Sequence, residues 1–197
     1  MGWEPDRYLQ FADERLRPAL DLLGQVALAA PDRIVDLGCG PGNVTRLLAS
    51  RWPKAQITGL DSSPEMLDRA RAALPALRFE LASVEQWVPD TPLDLVFSNA
   101  ALHWMLDARA VATGVWRALK SGGRFVGEMG GVGNVHALRA ALNAELVARG
   151  YVLPDGDQQW YPSVEEFGEI YGATGFEDID ARLIDRPTPL PAGPAGW

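Results

Sequence analysis

Apolar positions along this chain follow two periods that alternate from one end to the other. Runs rich in β-branched and aromatic residues stand at RIVDL (33–37), QITGLD (56–61), LRFELA (77–82), LDLVFSNA (93–100) and GRFVGEM (123–129), and each predicts a strand. Between them the spacing turns helical. Val44, Leu47 and Leu48 predict a helix that stops at Trp52-Pro53. Met66, Leu67 and Ala70 predict another that starts at SSPE, where serine can cap and Pro64 suits the first turn. Asp107 to Leu119 predicts a third, ended by SGG. Two more follow the fifth strand, Val135 to Arg149 and SVEEFGEIYGAT, the latter opened by Ser163 and Glu166 at capping-box spacing. EDIDARLI (177–184) predicts a sixth strand, with Ile179, Ala181 and Leu183 on one face. Ahead of the first strand, Tyr8, Phe11 and Arg15 share a helical face and Pro18 can begin a second helix, whereas the tail RPTPLPAGPAGW reads as irregular.

This alternation predicts a doubly wound α/β fold, a mostly parallel sheet with helices on both faces and ligands bound beyond the carboxyl ends of its strands. One domain accommodates the 197 residues.

Composition narrows the picture by exclusion. With 47% hydrophobic residues, 22% charged residues and a mean hydropathy of -0.07, the chain has the make-up of a soluble globular protein. No apolar stretch approaches the ~18 residues of a membrane span. The N-terminal MGWEPDRYLQF has no apolar signal region, so the expectation is a cytoplasmic protein. A net charge of -8 and a pI near 4.8 argue against nucleic acid and anionic membranes as partners, because such binders concentrate Lys and Arg. The single cysteine, Cys39, rules out an internal disulfide and a multi-cysteine metal centre, and no carboxylate cluster suggests a metal site.

Candidate chemistry begins at VDLGCGPGN (35–43), a glycine turn between the first strand and the helix after it. A dinucleotide turn spaces its glycines G-x-G-x-x-G, the third allowing close helix packing while backbone N–H groups meet a pyrophosphate. Here that third position is Asn43, the glycines fall at 38, 40 and 42, Pro41 removes an amide donor and Asp36 sets a carboxylate beside the turn. The pattern suits a ligand carrying an ammonium, a sulfonium and an adenosine better than a phosphate. Asp61 closes the second strand about 20 residues further on, where an acid can accept both ribose hydroxyls. As a turn or helix-capping residue, Asp61 would need no ligand. Both signals together fit S-adenosylmethionine. Cys39 reads as a small turn residue, with no neighbouring base to activate it.

With WEPDRYLQFADERLRP ahead of DLGCGPGN, and ITGLDSSPEML and SNAALHW after it, the chain from Trp3 to about Gly127 resembles the class I S-adenosylmethionine-dependent methyltransferases. Within them it is most similar to the trans-aconitate methyltransferases. The resemblance implies a Rossmann-like, cofactor-binding core over residues 31–130 and an N-terminal helical lid over 1–30 to which Tyr8, Phe11 and Arg15 belong. The acceptor side would be 131–197, with the last helices, the sixth strand and the proline-rich tail. Gly38 and Asn99 would offer carbonyls to the cofactor's ammonium, with Asp36, Cys39, Gly40, Asn43 and Ala100 completing the surroundings of the turn and the fourth strand's end. Asp61 would hold the ribose, and Ser62 and Met66 would lie beside the adenosine. The adenine position, commonly acidic, is Ser83 here, with Val84 and Glu85 as neighbours able to compensate.

The implied acceptor is a small carboxylic acid, whose oxygen is already a charged nucleophile and needs placement and desolvation rather than a base. His103, just past the fourth strand, is the catalytic candidate, either as a base for a phenol, alcohol or amine acceptor or as a wall of the pocket. The segments EMGGVGNVHALRAAL, WYPSVEEF and RPTPLP depart from trans-aconitate methyltransferases where the acceptor is chosen, so its identity stays open. The resemblance also implies a final antiparallel strand between the fifth and sixth. Prolines at 187, 189, 191 and 194 make the tail a poor substitute for it. The expectation is that the sixth strand pairs directly with the fifth or that the fifth is left as an open edge inviting self-association, and, as a rival to the enzyme, an incomplete cofactor-binding module with little turnover.

Overall fold

In the computed structural model the described residues are 12–187 without Asp155 and Asp157, and for residues 12–15 the helix backbone alone. In chain order the elements are α1 (Ala12–Gln25), β1 (Arg33–Leu37), α2 (Asn43–Arg51), β2 (Gln56–Asp61), α3 (Pro64–Ala73), β3 (Arg78–Leu81), β4 (Leu93–Asn99), a 3-10 turn (Leu102–Trp104), α4 (Ala108–Ala118), β5 (Leu119–Glu128), α5 (His136–Ala148) and α6 (Val164–Thr174). The five strands form one parallel sheet in the order β3-β2-β1-β4-β5. Chain direction across the sheet reverses between β1 and β4, which makes their carboxyl ends the switch point where open α/β sheets bind ligands.

Helix starts follow from local chemistry. The Ser63 side chain accepts the Met66 amide with Pro64 in the first turn of α3, Asp107 accepts the Ala110 amide ahead of α4, and Ser163 accepts the Glu166 amide ahead of α6. The capping box at α6 is half made, because Glu166 bonds the Trp160 indole instead of reaching back to Ser163.

Strand alternation then divides the core into two layers. Ile34, Leu95 and Phe97 pack with Leu23 and Val26 at α1 and with Leu48 and Trp52 at α2. Val35, Leu37 and Val96 point the other way, onto Val111, Val115 and Ala118 of α4. Outside α4 lies α6, held by Tyr171, whose ring stacks on Phe125 at 5.3 Å and on Phe167 at 4.2 Å.

Four expectations are corrected. Pro18 lies inside α1, so no second helix begins there; the buried Ala19 and Leu23 hold the helix to the sheet through the backbone bond that proline forgoes. SGG does not end the fourth helix, because α4 runs straight into β5 at Leu119 and SGG sits in an irregularity between Leu93 and Leu95, with Gly122 at φ 73°. Val135 precedes α5 in a left-handed conformation rather than starting it. The sixth strand is not formed over 177–184. Asp178 takes φ 54°, which breaks an extended run, and side chains rather than a backbone ladder anchor the segment: Arg182 bonds Gln25 and Arg186 pairs with Asp21 at 2.7 Å, both on α1. Among the described residues β5 therefore ends the sheet, and α5 buries none of its residues, leaving Leu138, Leu142 and Val147 exposed.

Candidate functional site

Three strand ends converge around the glycine turn. Gly38, Gly40 and Gly42 take φ values of 70°, 52° and 87°, a left-handed alternation natural to glycine. At Gly38 the approach is close as well, since a Cβ there would stand 2.2 Å from the Ala101 Cβ, so the turn and the end of β4 lie against each other.

The turn's amide donors are already used. Gly38 and Cys39 donate to the Leu60 carbonyl at 2.8 and 3.0 Å, Gly40 donates to Asp61 Oδ2 at 2.8 Å, Gly42 donates to the Cys39 carbonyl at 3.0 Å, and Pro41 has no N–H. A phosphate would find no donor in residues 38–42. Acceptors remain. The Gly38 carbonyl takes part in none of these bonds, and Asn99 Oδ1, at the end of β4, is buried without a partner. Donors such as an ammonium would satisfy what the chain leaves unmet there.

Asp61 binds the pieces together. Its Oδ1 accepts the Ser63 amide at 2.9 Å while Oδ2 holds Gly40, so its turn-residue role is real; the carboxylate is half-buried, and each oxygen keeps further acceptor capacity. Ser62 is exposed and Met66 half-buried on the first turn of α3. Past β3, Ser83 is exposed with its hydroxyl on the Glu85 carboxylate, whereas Val84 is core, 4% exposed, with its carbonyl against Gly114 of α4. Of the three residues expected near an adenine, the Ser83–Glu85 pair faces outward and Val84 does not.

The side chains of two expected site residues are buried beneath the turn rather than exposed on it. Asp36 is 1% exposed, bonded by Thr45 Oγ1 at 2.6 Å, and burial pushes its carboxyl up to about 7. Cys39 is buried against Gly59, and burial pushes its thiol well above the ordinary range, which makes it inert. Asn43 is half-buried at the start of α2, and Ala100 takes φ 54° while its amide donates to the Glu128 carbonyl at 2.8 Å. Tyr8 and Phe11 fall outside the described residues; Arg15 is on α1, with only its backbone described.

His103 stands on the 3-10 turn after β4. Its Nδ1 accepts the Gly130 amide at 3.4 Å, its carbonyl accepts the Trp160 amide at 2.9 Å, and its ring lies 5.6 Å from that of Tyr161. Burial lowers its pKa to about 4. With Nδ1 used as an acceptor, the neutral ring carries its proton on Nε2, a tautomer assigned from that bond.

Sequence reasoning missed Thr45, Gly130, Tyr161 and Glu128. Glu128 ends β5 opposite Asn99; burial raises its carboxyl above the usual range, opposed by Arg186. Its position at a strand's carboxyl end is the signal that marked Asp61, and it was available. Thr45, Gly130 and Tyr161 carry no such mark, because their partners are fixed by folding.

A family described as methyltransferase domain matches residues 34–123. A trans-aconitate 2-methyltransferase of Enterobacter sp. (strain 638) is 40% identical over 179 residues, covering 90% of this chain and 69% of the relative. Another of that name, from Methylobacterium nodulans, is 51% identical over 127 residues, covering 64% of this chain and 49% of its own. Measured against several such curated relatives, the chain spans about half their length. Among solved structures, a phosphoethanolamine N-methyltransferase 2 of Haemonchus contortus, in complex with phosphomonomethylethanolamine and S-adenosylhomocysteine, has a TM-score of 0.67 at 26% identity, covering 83% of this chain and 38% of its own.

Proposed function

The chain belongs to the class I S-adenosylmethionine-dependent methyltransferases, and from that premise we propose that it methylates a small molecule at a carboxylate oxygen, on an acid resembling trans-aconitate. When bound, the cofactor supplies an electrophilic methyl group on a sulfonium. The chain's own residues would hold and aim it: the Gly38 carbonyl and the unpartnered Asn99 Oδ1 would accept from its ammonium, Asp61 would accept from the ribose, and Ser83 with Glu85 would meet the adenine edge.

The state of His103 carries the choice of acceptor. A ring neutral at pH 7 with its only acceptor nitrogen turned to Gly130 is a donor and a wall, not a base. An acceptor that arrives ionised needs no base, and Nε2–H can orient its oxygen. Glu128 favours a second reading: a buried carboxyl held above the usual range at the neighbouring strand end could take a proton from a hydroxyl acceptor. We also read the edge at β5 as a surface for a second copy of the chain.

Incubation with methyl-labelled cofactor and a panel of small di- and tricarboxylic acids, phenols and amines tests the reading. The expected product is a methyl ester, whose label is released as methanol by mild alkali. Alkali-stable label confined to phenols or amines overturns the carboxylate choice.

A further inference from the structure

Just past the carboxyl ends of β4 and β5 an aromatic ring brings two hydrogen-bond donors together, and backbone bonds fix where it lies. The His103 carbonyl accepts the Trp160 amide at 2.9 Å, and the Pro162 carbonyl accepts the Val132 amide at 2.8 Å. The residues on either side of Tyr161 are thereby tied to the loops that follow β4 and β5. Between those ties the Tyr161 ring lies over Gly130, where a Cβ would come within 2.5 Å of its Cε1, and its hydroxyl donates to Gln159 Oε1 at 2.8 Å. The ring meets His103 at 5.6 Å between centroids, and the Arg139 guanidinium carbon lies 5.7 Å from the Tyr161 centroid.

The contact with Arg139 sets that arginine apart. On α5, whose residues other than Leu146 are exposed, Arg139 is half-buried. The chain has 26 acidic and 18 basic residues, and Arg71, Arg78, Arg149, Arg182 and Arg186 each pair with a carboxylate. Among the described residues no carboxylate pairs with Arg139, whose cation rests on the Tyr161 ring. An aromatic face supports a guanidinium without using its N–H groups, so the fork stays open to a planar carboxylate. His103 supplies the second donor, because its Nδ1 accepts from Gly130 and its proton is on Nε2. Imidazole and guanidinium are separated by no more than the two ring distances together, a gap that a diacid of about four carbons with a hydrogen bond of about 2.9 Å at each end can span. We propose that Arg139 is a specificity-determining residue for the acceptor: laid on Tyr161, its guanidinium holds a carboxylate that does not react, while His103 Nε2–H orients the one that does. The site then selects acids with a second carboxylate over monoacids. The inference rests on the carboxylate reading above.

Initial rates with methyl-labelled cofactor test it on trans-aconitate, with crotonate as a monocarboxylate that has the same unsaturated carbons and no second charge. Arg139→Gln should raise the trans-aconitate KM about 10–100-fold, leave kcat within about twofold, and leave crotonate unchanged, so that the preference for the larger acid collapses. Arg139→Lys, which keeps the charge and loses the fork, should fall between wild type and Arg139→Gln. Calorimetric titration of trans-aconitate into the protein with S-adenosylhomocysteine reads the same contact without turnover, and its Kd should weaken by the same factor. Thermal melts should be alike for all three proteins, since α5 buries none of its residues. Unchanged KM and Kd in Arg139→Gln, or an equal loss on both acids, overturns the proposal and leaves the carboxylate reading standing. Failure of the wild type to bind or methylate trans-aconitate overturns that reading, and the proposal with it.

Discussion

Asp61, which we propose as the ribose acceptor, would serve fold and ligand with one side chain. Its two oxygens fasten the glycine turn and the start of α3, so the carboxylate is oriented before any ribose arrives. Asp61→Ala should cost cofactor affinity about 2–4 kcal/mol by calorimetry, and unchanged affinity in a folded variant would reject the ribose role. His103 bears on the reaction itself. Since burial holds it near 4, its neutral form adds stability that is complete above its ordinary value of 6.5 and is lost as pH falls through about 4. Turnover near neutral pH should consequently show no inflection from this ring. His103→Gln should shift the acceptor KM moderately and leave the pH profile intact; a fall of about 10²–10⁴-fold in kcat with loss of a neutral titration would make it the base after all.

At the scale of elements, α6 is fixed by one aromatic stack, and that stack contains an anomaly. The Tyr171 ring lies between Phe125 and Phe167, yet its hydroxyl is buried without a partner. Tyr171→Phe removes the unsatisfied group and keeps the stack, so it should be neutral or stabilising by about 1 kcal/mol, whereas Tyr171→Ala should cost about 3–5 kcal/mol. Urea melts of both variants separate ring from hydroxyl, and clear destabilisation by Tyr171→Phe would reveal a partner for the hydroxyl. The segment after α6 shows the opposite balance. Ile179, Ala181 and Leu183 alternate as a strand would, but one salt bridge, Arg186 to Asp21, and a hydrogen bond from Arg182 to Gln25 tie the segment to α1 while Ile179 and Leu183 stay partly exposed.

For the molecule as a whole, the two ends of the sheet differ in consequence. The β1–β4 switch point holds the acceptors of the proposed cofactor site, while among the described residues β5 ends the sheet and α5 buries none of its residues. Unsatisfied strand edge and exposed apolar side chains favour association. Light scattering should therefore show concentration-dependent self-association, with hydrogen exchange faster over residues 123–184 than over 33–61. A monomer protected equally over both spans would mean that the five-stranded sheet is closed as it stands.

The sequence by itself determined the strands and helices of residues 31–130, apart from the passage of α4 straight into β5 and the 3-10 turn after β4, and the ligand class of the glycine turn. The signals there are local: strand period, capping serines, Pro64, the spacing of Gly38, Gly40 and Gly42, and an acid at the next strand end. Only the tertiary structure decided that the side chains of Asp36 and Cys39 are buried under the turn, that Val84 belongs to the core, and that His103 gives its acceptor nitrogen to Gly130. Burial and long-range partners set those properties, and neither is a function of neighbouring residues. For the same reason the alternation at 177–184 misled: a period of two states which faces a strand would have, but pairing requires a free edge and an unbroken extended backbone, and Asp178 with the anchors on α1 removes the second of these.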